Sequence, residues 1–424
     1  MGPPTSVAAA VAQAHRREWA FVLAATVRVT RDIDLAEECV QDAYTRALEH
    51  WARDGVPASP GAWLTTVARR RALDLLRRNA RFARSLPLLA DDQADREPEP
   101  ETAHEVADDR PRLIFTCCHP SLAAAAQVAL TLRLLCGLST AEIARAFLVS
   151  EPTMAARITR AKKKIATARI PYRVPGAEDL PERTDAVLSV VHLVFTTGHT
   201  APAGGALVRS DLVERSLELA RMLRALLPGD AEVAGLLALI QLSDARSTTR
   251  VSEQGELLLL ADQDRSRWDR AKIAQGTALV QEALRGGPAG RFALMAAIAA
   301  VHAEAPSFEQ TDWTEIVGLY DRLAAAWPSP VVALNRAAAI GLADGPAAGL
   351  EALEELADEP ALDGYRYLAA ARADFLRRLG RIDEARTAYA QALELTENEV
   401  EQKFLRGRLA ELDGDARRRP SGPA

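Results

Sequence analysis

The chain has 424 residues, 48% of them apolar and only 5% aromatic, and its 52 Lys and Arg against 58 Asp and Glu leave a formal charge of −6. That length predicts two to four domains, and abundant alanine and leucine favour helices over sheets. Gln127 and Arg133 interrupt the longest apolar run, which excludes a membrane-spanning helix; four cysteines exclude a disulfide framework, and the first residues lack the pattern of a signal peptide, so a reducing, cytoplasmic setting is expected.

Residues 1–90 carry 13 basic against 9 acidic side chains, a net +4. From about Gln13 to Arg84 the pattern is that of a helical domain. Asp34 and Glu37 read as a capping pair opening a helix whose apolar stripe is Val40, Ala43, Tyr44, Ala47, Leu48 and Trp51. Its other face shows Glu37, Glu38, Gln41, Asp42, Arg46 and Glu49, and such a mainly acidic face suits a basic protein surface better than DNA. Gly55, Pro57 and Pro60 break the pattern into a loop. Ser59 then caps a second helix with Pro60 at its first position and Trp63, Leu64, Val67, Leu75 and Leu76 inward. Arg69, Arg70, Arg71, Asp74, Arg77 and Arg78 occupy its polar side. So many guanidiniums within about three turns repel one another unless an anion lies across them, although a solvated face relieved by Asp74 is the simpler alternative. Trp63 reads as core rather than as a base-stacking platform.

Residues 91–111 carry 2 basic against 9 acidic side chains, and four prolines lie between Leu86 and Pro111. Such a segment cannot bury a core and is expected to be an extended, flexible tether. Residues 112–175 reverse the sign, with 10 basic against 2 acidic side chains. After a helix through Leu122 to Leu135, the stretch Leu138 to Ile170 reads as a helix-turn-helix. Ser139 and Glu142 form a capping box on its first helix, and Ser150 caps the second, where Pro152 is tolerated in the first turn. Ile143, Ala144 and Phe147 face inward from the first helix, and Met154, Ile158, Ala161 and Ile165 from the second. Thr153, Arg157, Arg160, Lys162, Lys163 and Lys164 are left mostly outward, a basic face suited to the major groove. Cys117, Cys118, His119 and Cys136 invite a metal reading, but adjacent cysteines lack ligand spacing, and buried thiols in a helical core account for them better.

This order of parts, DLAEECVQDAYTRALEHW, AWLTTVARRRALDLLRR, an acidic tether and LSTAEIARAFLVSEPTMAARITRAKKKI, resembles the two domains of an extracytoplasmic-function (ECF) sigma factor of bacterial RNA polymerase, over about residues 13–170. The resemblance implies that Glu38, Gln41 and Asp42 dock onto the clamp helices of the polymerase β′ subunit. It implies that Arg69, Arg70, Arg71, Arg77 and Arg78 approach the −10 element and its unpaired strand, and that the second helix of the helix-turn-helix reads the −35 element. Thr153, Arg157 and Arg160 are the residues expected at base edges. The tether would cross the active-site cleft of the polymerase. The turn at Leu148 and Val149 departs from the pattern in lacking glycine.

The remaining half is acidic, with 27 basic against 38 acidic side chains. Asp185 to Phe195 is apolar on nearly every side and ends at Gly198, so it reads as a buried helix with His192 a hydrogen-bonded core residue. Further helices are expected at Ser210–Leu227, Ala231–Ala245, Trp268–Arg285 and Gly290–Ala303. The cluster Asp262 to Arg270 reads as a capped helix start with internal ion pairs, and no nucleophile–base pair or phosphate-binding glycine loop accompanies it. Ala373, Gly380, Ala385, Tyr389 and Ala392 follow the small-and-aromatic pattern of a tetratricopeptide repeat, with a weaker copy at about Asn335 to Leu356. The whole resembles the sigma-factor subgroup that carries a tetratricopeptide-like extension.

The organisation expected is all-helical: a region 2 domain over 1–85, a linker over 86–111, a region 4 helix-turn-helix domain over 112–175, a helical extension over 176–305, repeats over 306–415 and a disordered tail over 416–424. The function expected is that of a non-catalytic, cofactor-free specificity subunit that binds core polymerase and promoter DNA, its extension regulating activity or holding an unknown protein partner. A stand-alone helix-turn-helix regulator is the alternative. A third possibility, an enzyme or metal protein using Cys117, Cys118, His119 or the Asp262 to Arg270 cluster, has no supporting motif.

Overall fold

Nearly all regular structure is helical, as expected from the composition: among the described residues of a computed structural model, 6–85, 108–147 and 149–418, there are eighteen α-helices and one pair of two-residue strands. No helix among them is long and apolar enough to cross a membrane. The chain divides into two units, 1–190 and 191–424. The first holds α1 (Val7–Thr30), α2 (Ile33–Asp54), α3 (Pro60–Ser85), α4 (Arg110–Cys117), α5 (Ala124–Leu134), α6 (Thr140–Ala146), α7 (Glu151–Thr167) and the start of α8 (Leu180–His199).

The first three helices pack on one another through Val22, Leu23 and Ala24 of α1, Cys39, Val40, Ala43, Ala47 and Trp51 of α2, and Leu64, Ala68 and Ala72 of α3. Ala68 and Ala72 are fully buried; at these positions small side chains let helices approach closely. The expected α2 stripe is buried except for Leu48, which is 46% exposed because it falls at the stripe's edge. The cap of α2 also differs from expectation. Asp32, extended at φ −134° and ψ 122°, accepts a hydrogen bond from the Leu35 amide, which leaves Asp34 in the first turn and Glu37 buried. A cap must lie outside the helix, and the left-handed Arg31 (φ 55°) ends α1 just before it.

Of the expected tether, only Asp108 to Pro111 fall among the described residues. There Asp109 and Pro111 are buried at the start of α4. Leu113, Ile114 and Phe115 of α4 are fully buried, each worth about 1.5–3 kcal/mol relative to exposure.

The second unit continues α8 and adds α9 (Ser210–Leu226), α10 (Ala231–Asp244), α11 (Arg270–Arg285), α12 (Arg291–Glu304), α13 (Trp313–Ala326), α14 (Pro330–Ala343), α15 (Pro346–Glu354), α16 (Arg366–Arg378), α17 (Ile382–Glu394) and α18 (Glu399–Arg418). Gly198 does not end α8, which runs to His199. A Cβ there would stand 2.7 Å from that of Leu212, so glycine permits the close approach of α9. Leu193 of α8 is exposed, and α8 is therefore less fully enclosed than its composition suggests.

The Asp262 to Arg270 cluster is a capped helix start. Asp264 caps a 3-10 turn and Asp269 caps α11, but Arg265 donates to the carbonyls of His302 and Ala305, both at 2.7 Å, rather than to a carboxylate. Strands β1 (Ala203–Gly204) and β2 (Glu397–Asn398) pair in parallel. The fully buried Asn398 side chain donates to the carbonyls of Ala201 (3.1 Å) and Ala206 (2.9 Å) and accepts from the amides of Val400 and Glu401, which tethers the start of α18 to the start of the unit.

Candidate functional site

The helix-turn-helix forms for the local reasons read from its sequence. Ser139 and Glu142 make the reciprocal capping box on α6, and the Ser150 hydroxyl accepts from the Thr153 amide at the start of α7. Met154, Ile158, Ala161 and Ile165 bury one face of α7 against the rest of the unit. Leu148, in the turn, lies outside the described residues, and Val149 closes the turn by donating to the Ala144 carbonyl at 3.0 Å.

With that face fixed inward, Thr153, Arg160, Lys163 and Lys164 are exposed. The Thr153 hydroxyl sits 2.8 Å from that of Ser150, and Arg160 Nε donates to the Ala156 carbonyl at 3.1 Å. Arg157 is half-buried, its guanidinium lying over the Phe147 ring 5.6 Å from the centroid. That contact fixes the direction in which Arg157 leaves the helix.

Lys162 departs from the expectation of an outward side chain. It turns toward α2, where its ammonium binds Glu37 and lies 2.8 Å from Asp34 Oδ1, with only 13% of the side chain exposed. The register explains this: Lys162 follows the buried Ala161, at the edge of the face that packs on α5 and α6. Burial opposes its charge, yet the carboxylates of Glu37 and Asp34 outweigh burial and raise its pKa. Glu37 also accepts from Arg133 Nε of α5 at 3.1 Å, and Arg133 in turn donates to the Leu138 carbonyl at 3.2 Å. One buried carboxylate thus holds a cation from each of α5 and α7.

Two further links tie α1 to α4 and to the segment after α7. Asp109 lies 3.5 Å from both Arg28 of α1 and Arg112 of α4, and burial, the largest influence on it, raises its pKa despite those arginines. The Tyr172 hydroxyl, after α7, donates to the Ala24 carbonyl of α1 at 2.8 Å. Gly137, at φ +69°, lets the α5 to α6 turn pass within contact distance of Trp19.

On α2, Glu38 and Gln41 are exposed and Asp42 is half-buried. On α3, Arg70, Arg77 and Arg78 are exposed, while Arg69 and Arg71 are half-buried. Arg71 Nε stands 3.0 Å from Asp42, so one residue of the acidic face and one of the basic face form an ion pair between helices. The structure brings these two groups together at that point, whereas the exposed side of α7 carries its own separate set.

Sequence periodicity alone does not mark Glu37, Arg133, Asp109 or Tyr172 for this role. Arg133 gave a signal, as a lone cation interrupting an apolar helix, which requires a partner if it is buried. Cys117, Cys118 and Cys136 are buried thiols, with burial raising the pKa of Cys117 strongly and that of Cys118 to about 12. His119 Nδ1 accepts from the Ser121 amide at 3.2 Å. Among the described residues no group of three or more His, Cys, Asp or Glu side chains is placed to hold a metal ion.

The model of Sigma-70 region 2 matches residues 15–82 and that of Sigma-70 region 4 matches residues 112–165. A family of unknown function, DUF6596, matches residues 183–284. An uncharacterized protein of Rhizobium meliloti is 43% identical over 394 residues, covering 92% of this chain and 93% of its own length. The ECF RNA polymerase sigma factor SigL of Mycobacterium tuberculosis is 34% identical over 141 residues, 33% of this chain and 75% of its own length.

Proposed function

This chain belongs to the ECF RNA polymerase sigma factors, and from that premise we propose that it is a non-catalytic subunit which acts in the cytoplasm, binds core polymerase and selects promoters by their −10 and −35 elements. Glu38, Gln41 and Asp42 of α2 meet the β′ clamp helices. Arg69, Arg70, Arg71, Arg77 and Arg78 of α3 approach the −10 element. Thr153, Arg157 and Arg160 of α7 contact −35 base edges, and Lys163 and Lys164 contact phosphates, supplying affinity and its salt dependence. Lys162 joins them once Glu37 and Asp34 release it.

The observation that carries this reading is the doubly capped helix-turn-helix, whose second helix buries its apolar face and leaves a row of cations outward, following an acidic and an arginine-rich helix in the family's order. The extension is read as a regulatory or partner-binding part with degenerate tetratricopeptide-like packing in its last helices. Support comes from Ala373, Ala385 and Ala392, all fully buried where α16 meets α17, and from the left-handed Gly380 (φ +75°) at their turn. In the deciding experiment, purified chain is added to core polymerase on promoters mapped after its overexpression. Initiation from those promoters is expected. Failure to associate with core polymerase, with duplex binding retained, would turn the reading to a stand-alone regulator.

A further inference from the structure

The second unit contains a partly open cavity of about 390 Å³ between α8, α10, the turns before α11, and α12 to α14. That is within the range of small-molecule sites. Its walls are mainly aliphatic and aromatic, with Trp268, Trp327 and Tyr320 among them, and none of the lining residues is acidic.

Into this apolar space opens Arg246, just past the end of α10. Its side chain is half-buried, and among the described residues it has neither a hydrogen bond nor an ion pair. The neighbouring buried arginines are treated differently. Arg250 donates to the His199 carbonyl and, at 2.9 Å, to the Thr200 hydroxyl; Arg265 donates to two carbonyls. A cation partly withdrawn from water and without an acceptor is unfavourable, and an anion entering beside it offsets that cost. A second polar atom on the same wall also lacks a partner: the buried Nδ1 of His302.

We propose that this cavity binds a small monocarboxylic acid with an apolar body, its carboxylate on Arg246 and its body against the aromatic wall. A single guanidinium presents a planar fork that matches one carboxylate. Burial, with nearby arginines, holds His192 and His302 neutral at pH 7, each with its pKa lowered to about 4. They therefore offer hydrogen bonds but no further positive charge, which disfavours a phosphate dianion. The site is independent of the promoter reading, since every lining residue lies beyond residue 190.

The test uses the full-length chain with decanoate as probe, decanamide as its uncharged analogue and inorganic phosphate as the bare anion, followed by calorimetric titration and by tryptophan fluorescence. Decanoate is expected to bind saturably at one site per chain and to perturb Trp268 and Trp327, with decanamide and phosphate each weaker by about tenfold or more. Arg246→Gln is expected to bring decanoate down to the level of decanamide, and Ala299→Phe, which fills the cavity, to abolish both. Thermal unfolding of each variant reports whether it folds; should Arg246→Gln not fold, the decanoate to decanamide ratio on the unmodified chain still decides the role of charge. No saturable decanoate binding, equal binding of decanamide, phosphate binding as tight as decanoate, or binding undiminished by Ala299→Phe in a folded variant would each overturn the proposal.

Discussion

Arg157 and Glu37 illustrate two uses of charge. Arg157 is held over Phe147 yet remains partly open, so its head group is pre-positioned at little entropic cost. Arg157→Ala is expected to weaken −35 recognition by about 1–3 kcal/mol while leaving the fold intact, measured as promoter competition by polymerase carrying the variant. Equal competition would remove it from the base-reading set. Glu37 is buried between two cations. Glu37→Ala leaves Arg133 and Lys162 without their shared acceptor, and a loss on the order of 3 kcal/mol is expected in urea unfolding of the chain. Lys162→Met should cost less, because Glu37 keeps Arg133. His192 and His302 supply the pH dependence. Their folded pKa values of about 4 lie below the ordinary 6.5, so the unfolded chain takes up protons that the folded chain refuses. Stability is expected to fall as pH drops from about 6.5 toward 4, by about 2 kcal/mol per histidine at pH 5, and the His302→Asn variant should flatten that slope in unfolding followed from pH 7 to 5.

At the scale of elements, periodicity and capping located most helices closely. α9 to α12 begin and end within two residues of their expected bounds, and both caps of the helix-turn-helix are the serines named from sequence. Apart from the cap of α2, where expectation and structure part a long-range contact is responsible. Gly198 reads locally as a helix end but exists for the approach of α9, and His192 reads as hydrogen-bonded core but lines the cavity against the Phe292 ring. The pair Gly341 and Gly349 is a further case. They bring α14 against α15, and the Phe375 ring of α16 lies across both, so that a Cβ on either would overlap the ring. Gly341→Ala, which helix propensity alone would favour, is expected to destabilise by about 1–3 kcal/mol in denaturant unfolding. A neutral or stabilising result would mean that the α14 to α16 contact can relax.

For the whole molecule, the two sigma modules and the extension can be separated experimentally. Arg183 of α8 donates to the Phe115 carbonyl of α4, so a truncation after Arg173 removes one polar contact of the first unit as well as the extension. If the extension regulates, that truncation is expected to change transcription from the cognate promoter by about fivefold or more relative to the full chain, with core polymerase binding retained. Unchanged transcription in cells and in the purified system would leave the extension without a regulatory role. The overall charge of −6 conceals this division, because the cationic stretches sit in the first unit and the excess of carboxylates in the second.

What the sequence determined by itself was most of what neighbours along the chain set: helix periods, the serine caps of the helix-turn-helix, the proline starts of α3 and α7, and all the outward cations of α7 but Lys162. These follow from backbone geometry within a few residues, and they sufficed for the all-helical class and for the sigma-factor likeness. Only the tertiary structure decided which charges find partners. Lys162 and Arg133 meet on Glu37 although 125 and 96 positions separate them from it, and Arg246 is left facing a mainly apolar cavity with no hydrogen bond or ion pair among the described residues. Burial and distance across the fold set the energy of a charge, and neither is written in the spacing of residues on one helix.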